Sequence, residues 1–415
     1  MKPKIKQRIE QIKSGKIPKG YKKGKLGIVP EDWEEVCFSN LFTSTNNYTD
    51  NLEEYPLYSL TIEDGITAKT DRYNRTHLVK KENSYKIVRP NDYAYNPMNI
   101  RFGAVARHKG NMPVAVSGYY DIFTTVNPGD LAFMDNFLTC GAMITYYNKV
   151  STGSLVEKQR VHFSDFLKFS LPLPSLEERE KIAKILSTQD KVIECYEKKI
   201  VQLKRMKKYY LQNMFSNRGE TVPKIRFKGF TDAWEQRKFL EFSQRESACR
   251  ESSSKYPSVE YEDVVPEEGR LNKDVRLKNA QKNGIVFDGT QVLYGKLRPY
   301  LHNWLIPDFN GVAVGDWWVL RPIEIERKFL YRLIQTPQFD DIANQSSGSK
   351  MPRADWNLVS NAEFIIPASL EEQRQIAETF DNLDHLITLH QRLCDEEKKK
   401  KKAMQQLLLT GIVRV

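Results

Sequence analysis

The chain repeats itself. Ser175-Leu176-Glu177-Glu178 followed by Ile182-Ala183 returns as Ser369-Leu370-Glu371-Glu372 followed by Ile376-Ala377. Other matches keep the same order in each half: Asp32-Trp33-Glu34 with Ala233-Trp234-Glu235, Val114-Ala115-Val116 with Val312-Ala313-Val314, and Gly153-Ser154 with Gly348-Ser349. The offset drifts smoothly, from 201 at the tryptophans through 198 and 195 to 194 at Ser175 and Ser369. One architecture laid down twice gives two copies of one unit, able to engage two separated targets.

At 415 residues the chain is too long for one ordinary core, and length alone gives about two or three domains. Its 40% hydrophobic and 11% aromatic content supplies real cores, so the chain is not mainly disordered. No apolar run approaches the roughly eighteen residues that cross a bilayer, and the basic start Met1-Lys2-Pro3-Lys4 has no apolar stretch behind it. The five cysteines, Cys37, Cys140, Cys195, Cys249 and Cys394, are scattered and never form a C-x-x-C pair. Both features lead us to expect a cytoplasmic protein with reduced thiols and no membrane partner.

A formal charge of +11 and a pI near 9.1 favour a polyanionic partner, because each lysine or arginine that meets a phosphate releases condensed counterions. Part of that charge lies in Lys204-Arg205-Met206-Lys207-Lys208 and in Lys398 to Lys402, where a solvated helix face is the competing explanation.

From Ser175 to about Phe215 apolar residues keep a heptad: Ile182, Leu186, Ile193, Tyr196, Ile200, Leu203, Tyr210 and Met214, interrupted by Gln189 and Lys207. The same frame in the second copy gives Ile376, Phe380, Leu383, Ile387, His390, Cys394, Met404 and Leu408, interrupted by Glu397 and Lys401. Lys207 and Lys401 share a heptad position, where a polar residue can fix partner and register. Ser175 and Ser369 are N-caps, each followed by Glu178 or Glu372 in a capping box. About forty residues make a helix of roughly 60 Å. We expect the two helices to pack on each other antiparallel, with separate coiled-coil dimers as the alternative.

The intervening segments have short apolar runs of strand type: Tyr85 to Val88, Val114 to Val116, Asp121 to Val126 and Ala142 to Tyr147, then Gly284 to Phe287, Val292 to Tyr294, Val312 to Val314 and Trp317 to Leu320. Asp135 to Thr145 and Lys328 to Asn344 read as helical. The expected fold is therefore α/β of the α+β kind: two β-rich mixed domains separated by two long helices packed as an antiparallel coiled coil, with an internal pseudo-two-fold repeat. The expected boundaries are a basic arm at 1–27, domains at 28–170 and 229–362, a central helix and linker at 171–228, and a terminal helix at 363–415.

Basic, amide and aromatic side chains cluster before the paired Val-Ala-Val strands. In the first domain these are Tyr95, Asn96, Asn99, Arg101, Arg107, His108 and Lys109; in the second, Tyr294, Lys296, Arg298, Tyr300, His302 and Asn303, with Lys350 and Arg353 farther on. Arginine or lysine pairs with guanine, asparagine with adenine, and tyrosine packs or bonds to phosphate, so these are the candidate DNA-contacting residues.

Catalytic motifs are weak. Asn96-Pro97-Met98 is similar to the Asn-Pro-Pro-Tyr loop of amino-methyltransferases but lacks the second proline and the aromatic residue. No phosphate-binding G-x-x-x-x-G-K-[ST] loop occurs. Asp308, Glu326 and Lys328 spell a nuclease-like carboxylate-lysine pattern, which makes a stand-alone metal-dependent nuclease the alternative function; a non-catalytic coiled-coil scaffold is another. His385 and His390 are five apart and do not form an i, i+4 metal pair.

With its paired Leu173-Pro174-Ser175-Leu176-Glu177-Glu178 and Pro367-Ala368-Ser369-Leu370-Glu371-Glu372 segments, the long helices behind them, and Pro223 to Phe230 followed by Trp234 to Lys238, the chain resembles the specificity subunit of type I restriction-modification systems over nearly its whole length. Where many members have Glu-Glu-Gln, the first copy has Glu177-Glu178-Arg179 and the second keeps Glu371-Glu372-Gln373. The resemblance implies two target-recognition domains, each reading one half of a bipartite site in double-stranded DNA, with the helices as a ruler for the spacer. It also implies no catalytic centre, metal or cofactor on this chain. Two modification subunits would methylate adenine with S-adenosylmethionine, and restriction subunits would use ATP and Mg.

Overall fold

The computed structural model describes residues 3–69, 84–153, 159–216, 219–278, 281–345 and 351–415. It divides into two compact units, Met1–Cys195 with Leu393–Val415, and Tyr196–Arg392. Each unit boundary falls inside a long helix, one spanning Leu176–Asn213 and the other Leu370–Leu408.

In the first unit, an antiparallel sheet runs in the order Val105–Arg107, Tyr93–Tyr95, Asp121–Thr125, Phe42–Ser44. A second sheet joins Val114–Ser117, Tyr85–Val88 and Tyr48–Thr49. In the second unit the corresponding order is Trp304–Leu305, Val292–Gly295, Trp317–Pro322, Ser243–Arg245. A further four-stranded sheet there carries the parallel pairing of Ser258–Val259 with Gly311–Ala313. Phe38, Phe123, Phe137 and Phe166 fill the first core together with Ile182 and Leu186 of the central helix and Leu408 of the terminal one. The second core sets Phe239, Phe329 and Phe339 against Leu203 and against Ile376 and Phe380. Each core thus draws on both helices.

The strand readings hold except one. Ala142 to Tyr147 lies in a helix, Gly141–Val150, because Met143 and Tyr147, four apart, are its buried pair; that spacing suits one helical face and not strand alternation. Both helical stretches are split, into Leu131–Phe137 and Gly141–Val150, and into Arg327–Leu333 and Pro337–Ala343. Pro337 lacks an N–H to continue the preceding ladder and suits the first turn of a new helix, which Thr336 caps. The basic arm begins with a helix, Pro3–Lys13, followed by a hairpin of Tyr21–Gly24 with Gly27–Pro30. Tyr21 donates to the Gly411 carbonyl at 2.8 Å. A Cβ on Gly411, whose φ is 70°, would come within 2.5 Å of Pro30, so this tail needs glycine.

The seam positions are enclosed. Ile182, Leu186, Ile193, Ile200, Leu203, Ile376, Phe380, Leu383 and Cys394 are buried, and Tyr196, Ile387 and His390 are half-buried. Tyr196 and His390 meet edge to face at 6.0 Å. The polar interruptions find partners across the helix pair. Gln189 bonds Glu397 at 2.5 Å in the first unit, and Lys401 there pairs with Asp190. Lys207 pairs with Asp384 at 2.7 Å in the second. In the second unit Tyr196 meets His390 and Lys207 meets Asp384, so partner numbers fall on one helix as they rise on the other.

The capping boxes form only by half. Ser175 Oγ accepts from the Glu178 N–H at 3.3 Å, and Ser369 Oγ from the Glu372 N–H at 3.4 Å. The glutamate carboxylates turn elsewhere. Glu178 accepts from Trp33 Nε1 at 3.3 Å and Glu372 from Trp234 Nε1 at 3.2 Å. Strand pairing brings these groups together: Glu34 lies opposite Leu173, and Glu235 opposite Ile366, which sets each tryptophan beside the start of its long helix.

Candidate nucleic-acid interface

The first unit gathers its basic cluster around one carboxylate. Arg107 donates from Nε to Asp135 Oδ1 at 2.9 Å and from an η nitrogen to Oδ2 at 2.7 Å, while its other η nitrogen reaches Asn91 Oδ1 at 2.6 Å. Lys109 stands 3.6 Å from the same carboxylate, and the buried Tyr93 hydroxyl is 2.9 Å from it. The hydrogen bonds to Asp135 hold Arg107 above its ordinary, already high pKa, so it is a fixed cation. Arg107, His108, Lys109, Tyr58, Asp64 and Thr139 help line a cleft of about 410 Å³. Lys109, 71% exposed, is the group this cluster offers to an anion.

In the second unit Asp316 is the hub. Arg353 donates to it from Nε at 3.1 Å and from an η nitrogen at 3.0 Å, and Lys296 lies 3.6 Å away. The Arg353 hydrogen bond leads the effects that hold Asp316 below the usual carboxylate range. His302 sits between Asp340 at 3.0 Å and Glu267 at 3.4 Å and stacks on Trp304. The Asp340 contact outweighs burial and raises the imidazole above its ordinary value.

These residues border two hairpins of the same build. Tyr95 pairs with Val105 and Tyr294 with Trp304, leaving residues 96–104 and 295–303 as the connections. Asn96 N–H donates to Ala104 O, Phe102 N–H to Asn99 O, and Gly103 N–H to Ile100 O, at 3.0, 2.9 and 2.8 Å. The same bonds recur 199 residues later: Gly295 to Asn303, Leu301 to Arg298, and His302 to Pro299, at 2.7, 2.8 and 2.8 Å. The shared geometry has a conformational cost. Where the first hairpin has Gly103 at φ 94°, the second has His302 at φ 54°, and Arg298 takes φ 48°; left-handed backbone costs a non-glycine residue about 1 kcal/mol or more.

Several candidate residues serve the framework. Tyr95 and Tyr294 are core side chains, 0% and 2% exposed, with burial driving their hydroxyls well above the ordinary tyrosine pKa; Tyr95 donates to Val161 O. They are not presented to a ligand. Asn96 is buried, its side-chain oxygen accepting from Met98 and Asn99 backbone N–H groups, which closes a turn. His108 is buried against the Met112 carbonyl, and Asn303 is also buried. Arg101 bonds Gln159 at 2.5 Å and lies 5.0 Å over the Phe102 ring. Asn99, Lys109, Tyr300 and Arg353 are exposed, and Lys296, Arg298 and Arg107 are half-buried. Lys350, with Gly348 and Ser349, lies outside the described residues.

Sequence reasoning passed over Asp135, which organises the first cluster, and Phe102, 53% exposed at a hairpin tip. The hydrogen bonds make Leu301, 199 residues on, the counterpart of Phe102, but 96–104 and 295–303 share no letter at equivalent positions, so no repeat in the sequence points to it. In the nuclease-like string, Glu326 accepts from Phe329 N–H as a helix cap, and Lys328 pairs with Asp381, both at 2.7 Å. Among the described residues, no group of three or more histidine, cysteine or acidic side chains is placed to hold a metal. Nor is any described helix long and apolar enough to cross a membrane.

Comparison with known proteins agrees with this organisation. The family model for the type I restriction modification DNA specificity domain matches residues 30–205 and 251–396. The specificity subunit of the type I restriction enzyme MjaVIII from Methanocaldococcus jannaschii is 24% identical over 421 residues, covering 93% of this chain and 94% of that protein. A chain solved in work on complex assembly and conformational transition of the type I R-M system superposes with a TM-score of 0.55 at 14% identity, over 93% of this chain and 99% of that one. The S subunit of a type I system from M. genitalium gives 0.51 at 14%, over 92% and 96%. The chain belongs to the type I restriction-modification DNA specificity family, the non-catalytic DNA-recognition subunits of those systems.

Proposed function

We propose that the two sheet-rich domains, residues 28–170 and 229–362, are target-recognition domains that each read one half of a bipartite site in double-stranded DNA. One observation carries this reading: the same sheet order and the same hairpin recur in both units, yet the exposed side chains around them differ. Duplicated framework with unlike surface chemistry is what two readers of two different half-sites require. Exposed Asn99 and Lys109 in the first domain, and Tyr300 and Arg353 with half-buried Lys296 in the second, are the proposed DNA contacts. Half-buried Arg107 and Arg298 support them. Lys350 is retained as a contact on its residue type alone.

In this reading the long helices form an antiparallel coiled coil that sets the unread spacer. Support comes from two ion pairs. Asp190 and Asp384 are 194 apart, as are Lys207 and Lys401, so Lys401–Asp190 and Lys207–Asp384 are one contact made twice, as a pseudo-two-fold repeat predicts. Two modification subunits and restriction subunits would assemble on the framework in the cytoplasm, supplying S-adenosylmethionine, ATP and Mg.

The test is the map of adenine methylation across the host genome, with and without this gene. A bipartite motif that disappears with the gene is expected, and an unchanged map contradicts the reading.

A further inference from the structure

The two hairpin tips share every cross-strand and turn hydrogen bond named above, yet no residue of 96–104 matches its counterpart in 295–303. What persists is the presentation of large apolar side chains to solvent. Phe102 is 53% exposed, and the second tip shows Tyr300 at 52% and Leu301 at 39%. Neither tip is loosely held. Asn148 Nδ2 donates to Arg101 O at 3.0 Å beneath the first. In the second, Arg298 N–H donates to Pro352 O at 2.7 Å, and His302 is anchored through Asp340 and Glu267.

Cations stand beside both tips, more openly at the second. Arg101, itself buried and bonded to Gln159, lies over the Phe102 ring. Exposed Arg353 with half-buried Lys296 and Arg298 accompanies Tyr300, Asp316 being shared between Lys296 and Arg353. A rigid loop with an apolar point and cationic flanks matches a DNA groove, where apolar wedges enter between base steps while lysine and arginine hold the phosphates.

We infer that Phe102 in one domain, and Tyr300 with Leu301 in the other, are apolar wedges that insert at a base step of their respective half-sites. The proposal rests on the reading of this chain as a DNA-recognition subunit and adds the element that deforms the duplex. It also accounts for left-handed backbone at Arg298 and His302: the tip geometry is retained where the sequence opposes it.

The test uses the full chain assembled with its modification subunits and duplexes carrying the recognised site, with 2-aminopurine placed along each half. Phe102→Ala should weaken cognate binding about tenfold or more and abolish the unstacking signal in one half. The pair Tyr300→Ala and Leu301→Ala should do the same in the other half, and Phe102→Leu, which keeps an apolar point, should retain most of the signal. All three positions are exposed, so folding should persist, with circular dichroism as the check. Wild-type affinity and signal in the alanine variants, with sequence-specific binding intact, would overturn the wedge and leave DNA recognition standing. A wild-type complex without sequence preference would overturn both.

Discussion

Arg414 closes on Glu178 through two hydrogen bonds, from Nε at 2.6 Å and from an η nitrogen at 2.8 Å, and reaches Asp32 with the same guanidinium. Arg226 does the same to Glu372, at 2.7 and 2.9 Å. In each unit an arginine from the segment after one long helix holds the buried glutamate that opens the other. That glutamate also takes the tryptophan N–H, so three distant stretches meet at one carboxylate.

Removing the arginine strands a buried charge. Arg414→Met should destabilise the first unit by about 2 kcal/mol, below the roughly 3–5 of a fully buried pair because Arg414 is partly exposed. Adding Glu178→Gln should recover part of the loss. Hydrogen exchange resolved by unit checks this, and equal loosening of the second unit would contradict it.

Strands of two or three residues such as Phe42–Ser44, Tyr93–Tyr95, Ser243–Arg245 and Trp304–Leu305, and the Trp–Glu contacts, leave no local signature. The repeated tryptophans, the helix starts and the strands with longer apolar runs were legible in the sequence. The arginine clamps were not. Arg226 and Glu372 are 146 positions apart, Arg414 and Glu178 are 236 apart, and the two arginines do not follow the 194-residue frame. Tyr95 and Tyr294 have chemistry that suits base edges, but an aromatic in a central strand equally suits a core, and only the sheet order decides between them. The unmatched Arg179, which has Gln373 as its counterpart, pairs with buried Asp130 at 2.6 Å, whereas Gln373 accepts from Glu326 N–H. The departure exchanges one local anchor for another.

The two register contacts should differ in strength. Side-chain exposures are 14% and 30% for Lys207 and Asp384, against 23% and 47% for Lys401 and Asp190. Double-mutant cycles with Lys→Met and Asp→Asn should give a coupling of about 2 kcal/mol for the first and under about 1 for the second. The reverse order would contradict the burial argument.

His302 gives the second unit a pH dependence of definite sign. Its folded pKa is raised, so its stabilisation is complete below the ordinary imidazole value of about 6.5 and is lost as pH rises through the folded value. The stability of wild type relative to His302→Gln should shrink between about pH 6 and pH 9. A constant difference would show that the contacts to Asp340 and Glu267 are not charge-assisted.

Helix length should set spacer length. Seven residues inserted after Gln202, with seven more after Thr388 to preserve the register, add about 10 Å, or roughly three base pairs. The methylated motif should keep both halves and gain that much spacer. An unchanged spacer would mean that the helices are not the ruler.

The most direct test exchanges residues 229–362 for the equivalent domain of a relative of different specificity and reads the methylated motif of the hybrid. One half-site should change while the other stays as it was. A change in both halves, or in neither, would contradict a chain built from two independent readers.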